Sequence, residues 1–251
     1  MTRTRPRDAL STADLVPGSP QAIVADGYDR IAERYLAWSG ARPSPARRRA
    51  LDLALGAIPT GTDVLELGCG AGQPMTAALV GGRRVTALDI SAAQVELARR
   101  NVPAARFLVA DLTTYAQPAA SVDAVVAFYV LTHVPREELA PLLGRIAGWL
   151  RPDGVFFAAF GVEDDPGSVE EDYLGVPMYF SHFSARVNRR LVEEAGLVVE
   201  RAEVLTEPED RETARFLWVL ARKPIDADAA DAAARVRRRS GRSKGSWRRT
   251  G

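Results

Sequence analysis

Three short segments carry the residue types that a nucleoside site needs: Val64-Leu65-Glu66-Leu67-Gly68-Cys69-Gly70-Ala71-Gly72, Ala87-Leu88-Asp89 and Val109-Ala110-Asp111. Each is an apolar run of strand type that stops at an acid or a glycine. Glycines let a ligand approach the main chain, and an aspartate accepts hydrogen bonds from sugar hydroxyls or a base amine. If the runs are parallel neighbours, these groups share the carboxyl edge of a sheet, where open α/β sheets bind ligands. An adenosine-containing cofactor is the expected occupant. A nicotinamide dinucleotide fits less well, because its fingerprint has glycines at the first, third and sixth positions. Counting from Gly68, the third position is Gly70 but the sixth is Gln73.

The elements around these segments alternate. Gln21–Trp38 repeats Ile23, Tyr28, Ile31 and Tyr35 at helical spacing, and Ala46–Ile58 is a second amphipathic helix. Strands are expected at 63–67, 84–89, 106–111, 124–130 and 155–160. Helices are expected at 73–80, 91–101 (Ser91 as N-cap), 136–150 and 184–195, the last closed by Gly196. This order predicts an α/β Rossmann-like three-layer αβα sandwich with a mostly parallel seven-stranded sheet. Residues 197–206 and 213–222 then read as an antiparallel C-terminal hairpin on the sheet edge. Between them and the parallel part, residues 161–183 have no clear period, with acids early and aromatics late.

Composition bounds the rest. The 251 residues, 47% hydrophobic, suffice for one α/β domain with additions. The division expected is a flexible arm over 1–20, a domain over 21–223 with cap helices at 21–60, and a basic tail over 224–251. The net charge is +1, but residues 225–251 hold eight Lys/Arg against three Asp, a local +5 that leaves −4 elsewhere. A tail of this composition is expected to be disordered and solubilising. One cysteine excludes an intramolecular disulfide, no apolar run approaches the roughly 20 residues of a membrane span, and no secretory signal is evident. A cytoplasmic protein without a membrane partner is expected, and a homodimer is left open.

The ordered motifs resemble the class I, seven-stranded Rossmann-like methyltransferases that use S-adenosylmethionine, in their small-molecule branch. The match runs from about Tyr28 to Arg222. It rests on Glu66 followed by Gly68, Gly70 and Gly72, on Asp89 and Asp111, on Val122-Asp123-Ala124-Val125-Val126, and on Leu150-Arg151-Pro152-Asp153-Gly154. In the last motif Asp153 stands where the family has a glycine, which a type I turn would tolerate. The resemblance implies that Asp89 holds both ribose hydroxyls, that Asp111 reads the adenine amine, and that Ile90 and Leu112 sandwich the ring. It adds Cys69 as a small spacer, Gln94, Phe128 and His133 as further cofactor contacts, and Tyr28 and Tyr35 from a helix lying over the cofactor. The alternative for the tyrosines is core packing. The product would be S-adenosylhomocysteine.

Methyl transfer is an in-line displacement that needs positioning, desolvation and, for a protonated acceptor, a base. No metal is needed. The base candidates are His133 and His182, with Tyr129 as a third catalytic candidate; His133 could instead fix its loop or cap the helix after Pro135. The acceptor is expected among Tyr28, Tyr129, Tyr179, Phe180 and His182, in the 161–183 lid insertion. The reading is transfer to N, O or C of a small molecule of secondary metabolism. Nucleic acid is disfavoured, since no Asn-Pro-Pro-Tyr or Asp-Pro-Pro-Tyr is present. The alternatives are an RNA or protein methyltransferase guided by the tail, or a cofactor-binding homologue with non-methylating chemistry.

Overall fold

A computed structural model describes residues 15–40, 44–209 and 212–225. Most of the expected arm and residues 226–251 of the expected tail lie outside the described residues. The chain runs α1 (Pro20–Gly40), α2 (Pro45–Ala57), β1 (Asp63–Leu67), α3 (Met75–Leu79), β2 (Arg84–Asp89), α4 (Ala92–Asn101), β3 (Arg106–Val109) and β4 (Val122–Ala127). A 3-10 turn at Leu131–His133 leads to α5 (Arg136–Trp149), β5 (Leu150–Gly161), β6 (Asp165–Tyr173), β7 (Val176–His182), α6 (Ala185–Glu194), β8 (Val198–Glu209) and β9 (Glu212–Arg222).

Seven strands form one sheet in the order β3-β2-β1-β4-β5-β9-β8. The first five are mutually parallel, and β9 pairs antiparallel with both β5 and β8. The expected C-terminal hairpin is therefore present, but only β8 is at the edge. Alternate side chains of the parallel strands feed two cores, as period-2 geometry requires. Leu65, Leu67, Val125, Phe156 and Phe160 pack against α5 and α6. Val64, Val126 and Phe157 pack with Ala50 and Ala54 of α2, Leu79 of α3 and Val95 of α4. This is the three-layer αβα sandwich that the alternating pattern predicts.

Two expectations are corrected. The stretch 161–183 contains a two-stranded antiparallel sheet, β6–β7. Its two-residue loop puts Leu174 at φ 53° and Gly175 at φ 85°, the positive pair that a type I′ hairpin turn demands. The sequence hides it because β6 is exposed, carries Pro166 and Gly167, and is broken by register shifts. Asp153 is likewise not in a type I turn, whose central residues have negative φ. Its φ is 64°, left-handed backbone that aspartate tolerates better than most residues.

The hairpin and α1 pack together above the sheet edge. Val24 and Ile31 of α1 bury against Val176 and Met178 of β7. A Cβ on Gly27 would stand 2.8 Å from the Met178 methyl carbon and 3.0 Å from the Pro177 carbonyl oxygen, so this close helix–strand approach favours glycine. Arg34 donates to the Leu174 carbonyl at the hairpin turn. No helix among the described residues is long and apolar enough to cross a membrane.

Candidate active site

Because β1, β2 and β3 are adjacent and parallel, Glu66, Asp89 and Asp111 arrive at the same edge. Asp89 is registered opposite Val109, two residues before Asp111. A groove at this edge is lined by Gly68, Gly70, Asp89, Ile90, Gln94, Asp111, Leu112 and Phe128, among others. The two acids and the bare main chain thus converge on one space.

The backbone at the groove is held from below. The Gly68 and Cys69 amides both donate to the Leu88 carbonyl, at 2.8 and 3.0 Å. The Gly70 amide donates to Asp89 Oδ2 at 2.8 Å, and the Ser91 amide to Oδ1 at 3.0 Å. A Cβ on Gly68 would lie 2.3 Å from Val130 Cβ, at a φ of 69°. One on Gly70 would meet only Gln94 Oε1, at 3.9 Å, so Gly70 opens the groove while Gly68 admits the segment after β4. Gly72 differs again: it abuts Ala98 and Val102 at the end of α4 and serves helix packing. Asp111 accepts from the Thr113 amide and hydroxyl, each at 2.8 Å. A carboxylate has about four lone-pair sites, so both aspartates retain acceptor capacity.

Burial raises the Asp89 carboxyl pKa to about 6, against the hydrogen bonds from Ser91 and Gly70. Glu66, 1% exposed, is pushed to about 8 by burial. It lines an adjoining cavity with Cys69, Gly68 and Gly70, and its Oε2 has no hydrogen-bond partner. Burial also raises the Cys69 thiol well above its usual value, which keeps it protonated and inert as a nucleophile. Gln94 is fully buried, lines the groove, and neither its amide oxygen nor its nitrogen is paired. Buried polar atoms are rarely left so. An open glycine with unpaired acceptors and donors around it suits a ligand carrying hydroxyls, a base and an ammonium group.

Sequence reasoning missed Asp29. From α1 it accepts from the Ser91 hydroxyl at 2.6 Å and the Ala93 amide at 3.0 Å, capping α4 from another helix. It thereby pins α1 over the groove. Asp29→Ala is expected to speed dissociation of S-adenosylhomocysteine about tenfold in stopped-flow measurements, equivalent to the ~1.4 kcal/mol of a charged cap. Asp29→Asn, which keeps the acceptor, is expected to lose much less.

A second, larger chamber lies on the outer side. It shares Tyr28, Tyr35, Tyr129 and His133 with the groove, and adds Trp38, Tyr173, Phe180 and His182. His133 is fully engaged. Its Nδ1 lies 2.7 Å from the Tyr179 carbonyl, which only accepts, so Nδ1 carries the proton. Nε2, 3.0 Å from the Tyr28 hydroxyl, must then accept from it. Burial lowers the His133 pKa to about 4, so the ring is neutral. This corrects the expectation of a directly acting base: no ring nitrogen is available, and the loop-fixing alternative describes its contacts. Tyr129 is also tied. It sits at φ 62° and its hydroxyl donates to buried Glu207 of β8. Arg47 Nη2 lies 3.6 Å from the other Glu207 oxygen. Burial, then Glu207, push the Tyr129 phenol pKa upward, so it is no base.

Two lid residues divide. The Tyr179 side chain faces Gly167 across the hairpin and lines neither the groove nor the chamber; only its carbonyl takes part. His182 does line the chamber, and Gly161 must be glycine there, since a Cβ would fall 2.4 Å from the imidazole. Burial lowers the His182 pKa.

Comparison with known proteins agrees with this edge. The profile of the family described as "Methyltransferase domain" matches residues 64–154. A trans-aconitate 2-methyltransferase of Paracidovorax citrulli is 35% identical over 124 residues, 48% of this chain and 46% of that protein. A probable S-adenosylmethionine-dependent methyltransferase of Mycolicibacterium smegmatis is 33% identical over 142 residues, 56% and 53%. The chain thus spans about half the length of the curated relatives it matches. The structure of a Burkholderia thailandensis 1,6-didemethyltoxoflavin-N1-methyltransferase, with its substrate and S-adenosylhomocysteine bound, superposes with a TM-score of 0.65 at 22% identity, covering 88% of this chain and 94% of that one. Residues 64–154 thus match a methyltransferase domain, and the fold is that of the class I, Rossmann-like S-adenosylmethionine-dependent methyltransferases.

Proposed function

We propose that this chain is a methyltransferase that carries a methyl group from S-adenosylmethionine to a small molecule and releases S-adenosylhomocysteine. The observation that supports it most is the meeting of two spaces. The groove bearing Asp89 and Asp111 opens onto a separate aromatic chamber at Tyr28, Tyr35, Tyr129 and His133. A transfer enzyme needs such a junction, because donor and acceptor must face each other without intervening water.

S-adenosylmethionine supplies an electrophilic methyl on a sulfonium. Asp89 would accept from the ribose hydroxyls, and Asp111 with the Leu112 amide would take the adenine edge, Ile90 and Leu112 covering its faces. Glu66 and Gln94 offer their unpaired atoms to the polar end groups. Tyr28 and Tyr35 close the junction from α1, with Tyr28 held by the neutral His133. Tyr129, fixed by Glu207 and Arg47, forms the opposite wall. His182 is the imidazole left to take a proton from the acceptor, its ring making no hydrogen bond among the described residues.

Calorimetric titration with S-adenosylmethionine and S-adenosylhomocysteine tests the reading: saturable binding in the micromolar range is expected, and no heat up to millimolar concentrations would remove it. With an acceptor in hand, mass spectrometry should find a product heavier by one methyl. His182→Gln is expected to lower turnover about a hundredfold, the lower end of the span of a general base, while the affinity for S-adenosylhomocysteine stays unchanged.

A further inference from the structure

The acceptor chamber has a wall and a charge of its own. Along one side the rings are continuous. Trp38 stacks on Tyr35 at 5.7 Å between centroids, Tyr35 meets Tyr28 at 5.1 Å, Tyr173 meets Phe180 at 5.4 Å, and Phe180 meets His133 at 4.8 Å. Facing them are four acids, Glu163, Asp164, Asp165 and Glu170, against two cations, Arg47 and Arg215.

Each cation already faces a carboxylate. Arg47 is bound to Glu207 and to the Ser39 carbonyl, with its Nε left unpaired, and Arg215 to Glu163. Arg136 is committed to Asp164 and the His182 carbonyl. A carboxylate or phenolate entering here would therefore meet net negative charge and no uncompensated cation, and desolvating it there is costly. The chamber also lacks a strong base. Tyr28 donates to His133, Tyr129 to Glu207, and both His133 nitrogens are used. An alcohol or carbon acid would have only the His182 imidazole, whose basicity burial lowers, to ionise it.

We infer that the acceptor is a planar aromatic amine or ring nitrogen, uncharged or cationic, and that carboxylates are excluded. The inference rests on the methyltransferase reading above and names its substrate class. Such a nitrogen has its lone pair at hand. It forms one N–C bond as one C–S bond breaks with the electron pair on sulfur; the cation formed from an amine then passes an N–H proton to His182, whereas a pyridine-type ring nitrogen, which bears none, leaves as the N-methyl cation. The rings of Trp38 and Tyr173 supply stacking and, for a cation, attraction to their faces.

The test uses the protein saturated with S-adenosylhomocysteine and two probes on one ring system, 6-aminoquinoline and quinoline-6-carboxylate, with trans-aconitate as a third. Calorimetry is expected to give at least tenfold tighter binding of the amine than of either carboxylate. Trp38→Ala should weaken the amine at least fivefold without moving the affinity for S-adenosylhomocysteine, since Trp38 lies outside the groove. The double variant Asp165→Asn/Glu170→Gln should cut the amine-to-carboxylate preference about fivefold. Equal or tighter binding of a carboxylate overturns the inference, as does failure of the amine to bind the saturated protein. If S-adenosylhomocysteine itself does not bind, it is the cofactor reading that fails, and the inference falls with it.

Discussion

Asp89→Ala is expected to abolish measurable S-adenosylhomocysteine binding, weakening it at least a hundredfold in calorimetric titration. The carboxylate has two roles at once. It would accept two ligand hydroxyls, each charge-assisted bond being worth about 1.5–3 kcal/mol, and it already holds the Gly70 amide at 2.8 Å. Removing it takes away the ligand's acceptor and frees the glycine turn that shapes the groove. A pH dependence follows from the same group. The Asp89 pKa in the ligand-free protein is raised to about 6 by burial, and only the ionised form accepts from both hydroxyls. Binding should therefore be constant above pH 7 and about tenfold weaker at pH 5. A flat profile between pH 5 and 8 would mean that Asp89 does not meet the ribose.

Glu66→Gln is expected to stabilise the ligand-free protein at pH 8, by an amount on the order of a few kcal/mol. The direction follows from proton linkage. Burial raises the folded-state pKa of Glu66 to about 8, whereas an unfolded glutamate titrates near 4.3. Between about pH 4 and 8 the folded state holds a proton that the unfolded state has released, so stability declines as pH rises. The contribution is full below pH 4 and gone above pH 8. Asp89, raised to about 6, adds to the decline between about pH 4 and 6. Glutamine keeps the shape of the protonated acid and never ionises, so the variant's urea midpoint should fall less between pH 6 and 8 than that of the parent. Identical slopes would show that Glu66 is not the buried acid responsible.

The parts of the fold legible in the sequence were those with local causes. β1 and β2 were expected at their observed bounds, because a buried parallel strand is an apolar run that a glycine or an acid ends sharply. Ser91 was expected to cap α4, and its side chain accepts from the Gln94 amide at 3.1 Å. β6 and β7 escaped because a lid hairpin whose first strand is exposed along its length, with a proline and register shifts, carries no period. Asp29 escaped because an exposed-looking acid mid-helix declares nothing of the Ser91 hydroxyl and the Ala93 amide it will meet 62 and 64 residues later. Which of the two readings of His133 its contacts favour was hidden for the same reason. Nothing local to His133 announces that Tyr28, 105 residues away, donates to one nitrogen while the Tyr179 carbonyl occupies the other.

The sequence by itself determined the cofactor end of this protein. Asp89, Asp111 and the Gly68–Gly70 backbone sit at the ends of adjacent strands, so strand period and chain order alone bring them to one edge. The proposed acceptor end was decided only by tertiary structure. Its wall and its charge come from α1, α2, the segment after β4, the β6–β7 hairpin and β9, and Glu207 of β8 stands behind Tyr129. Contacts of that separation are set by how two packed layers and a lid close on each other, and no spacing along the chain encodes them.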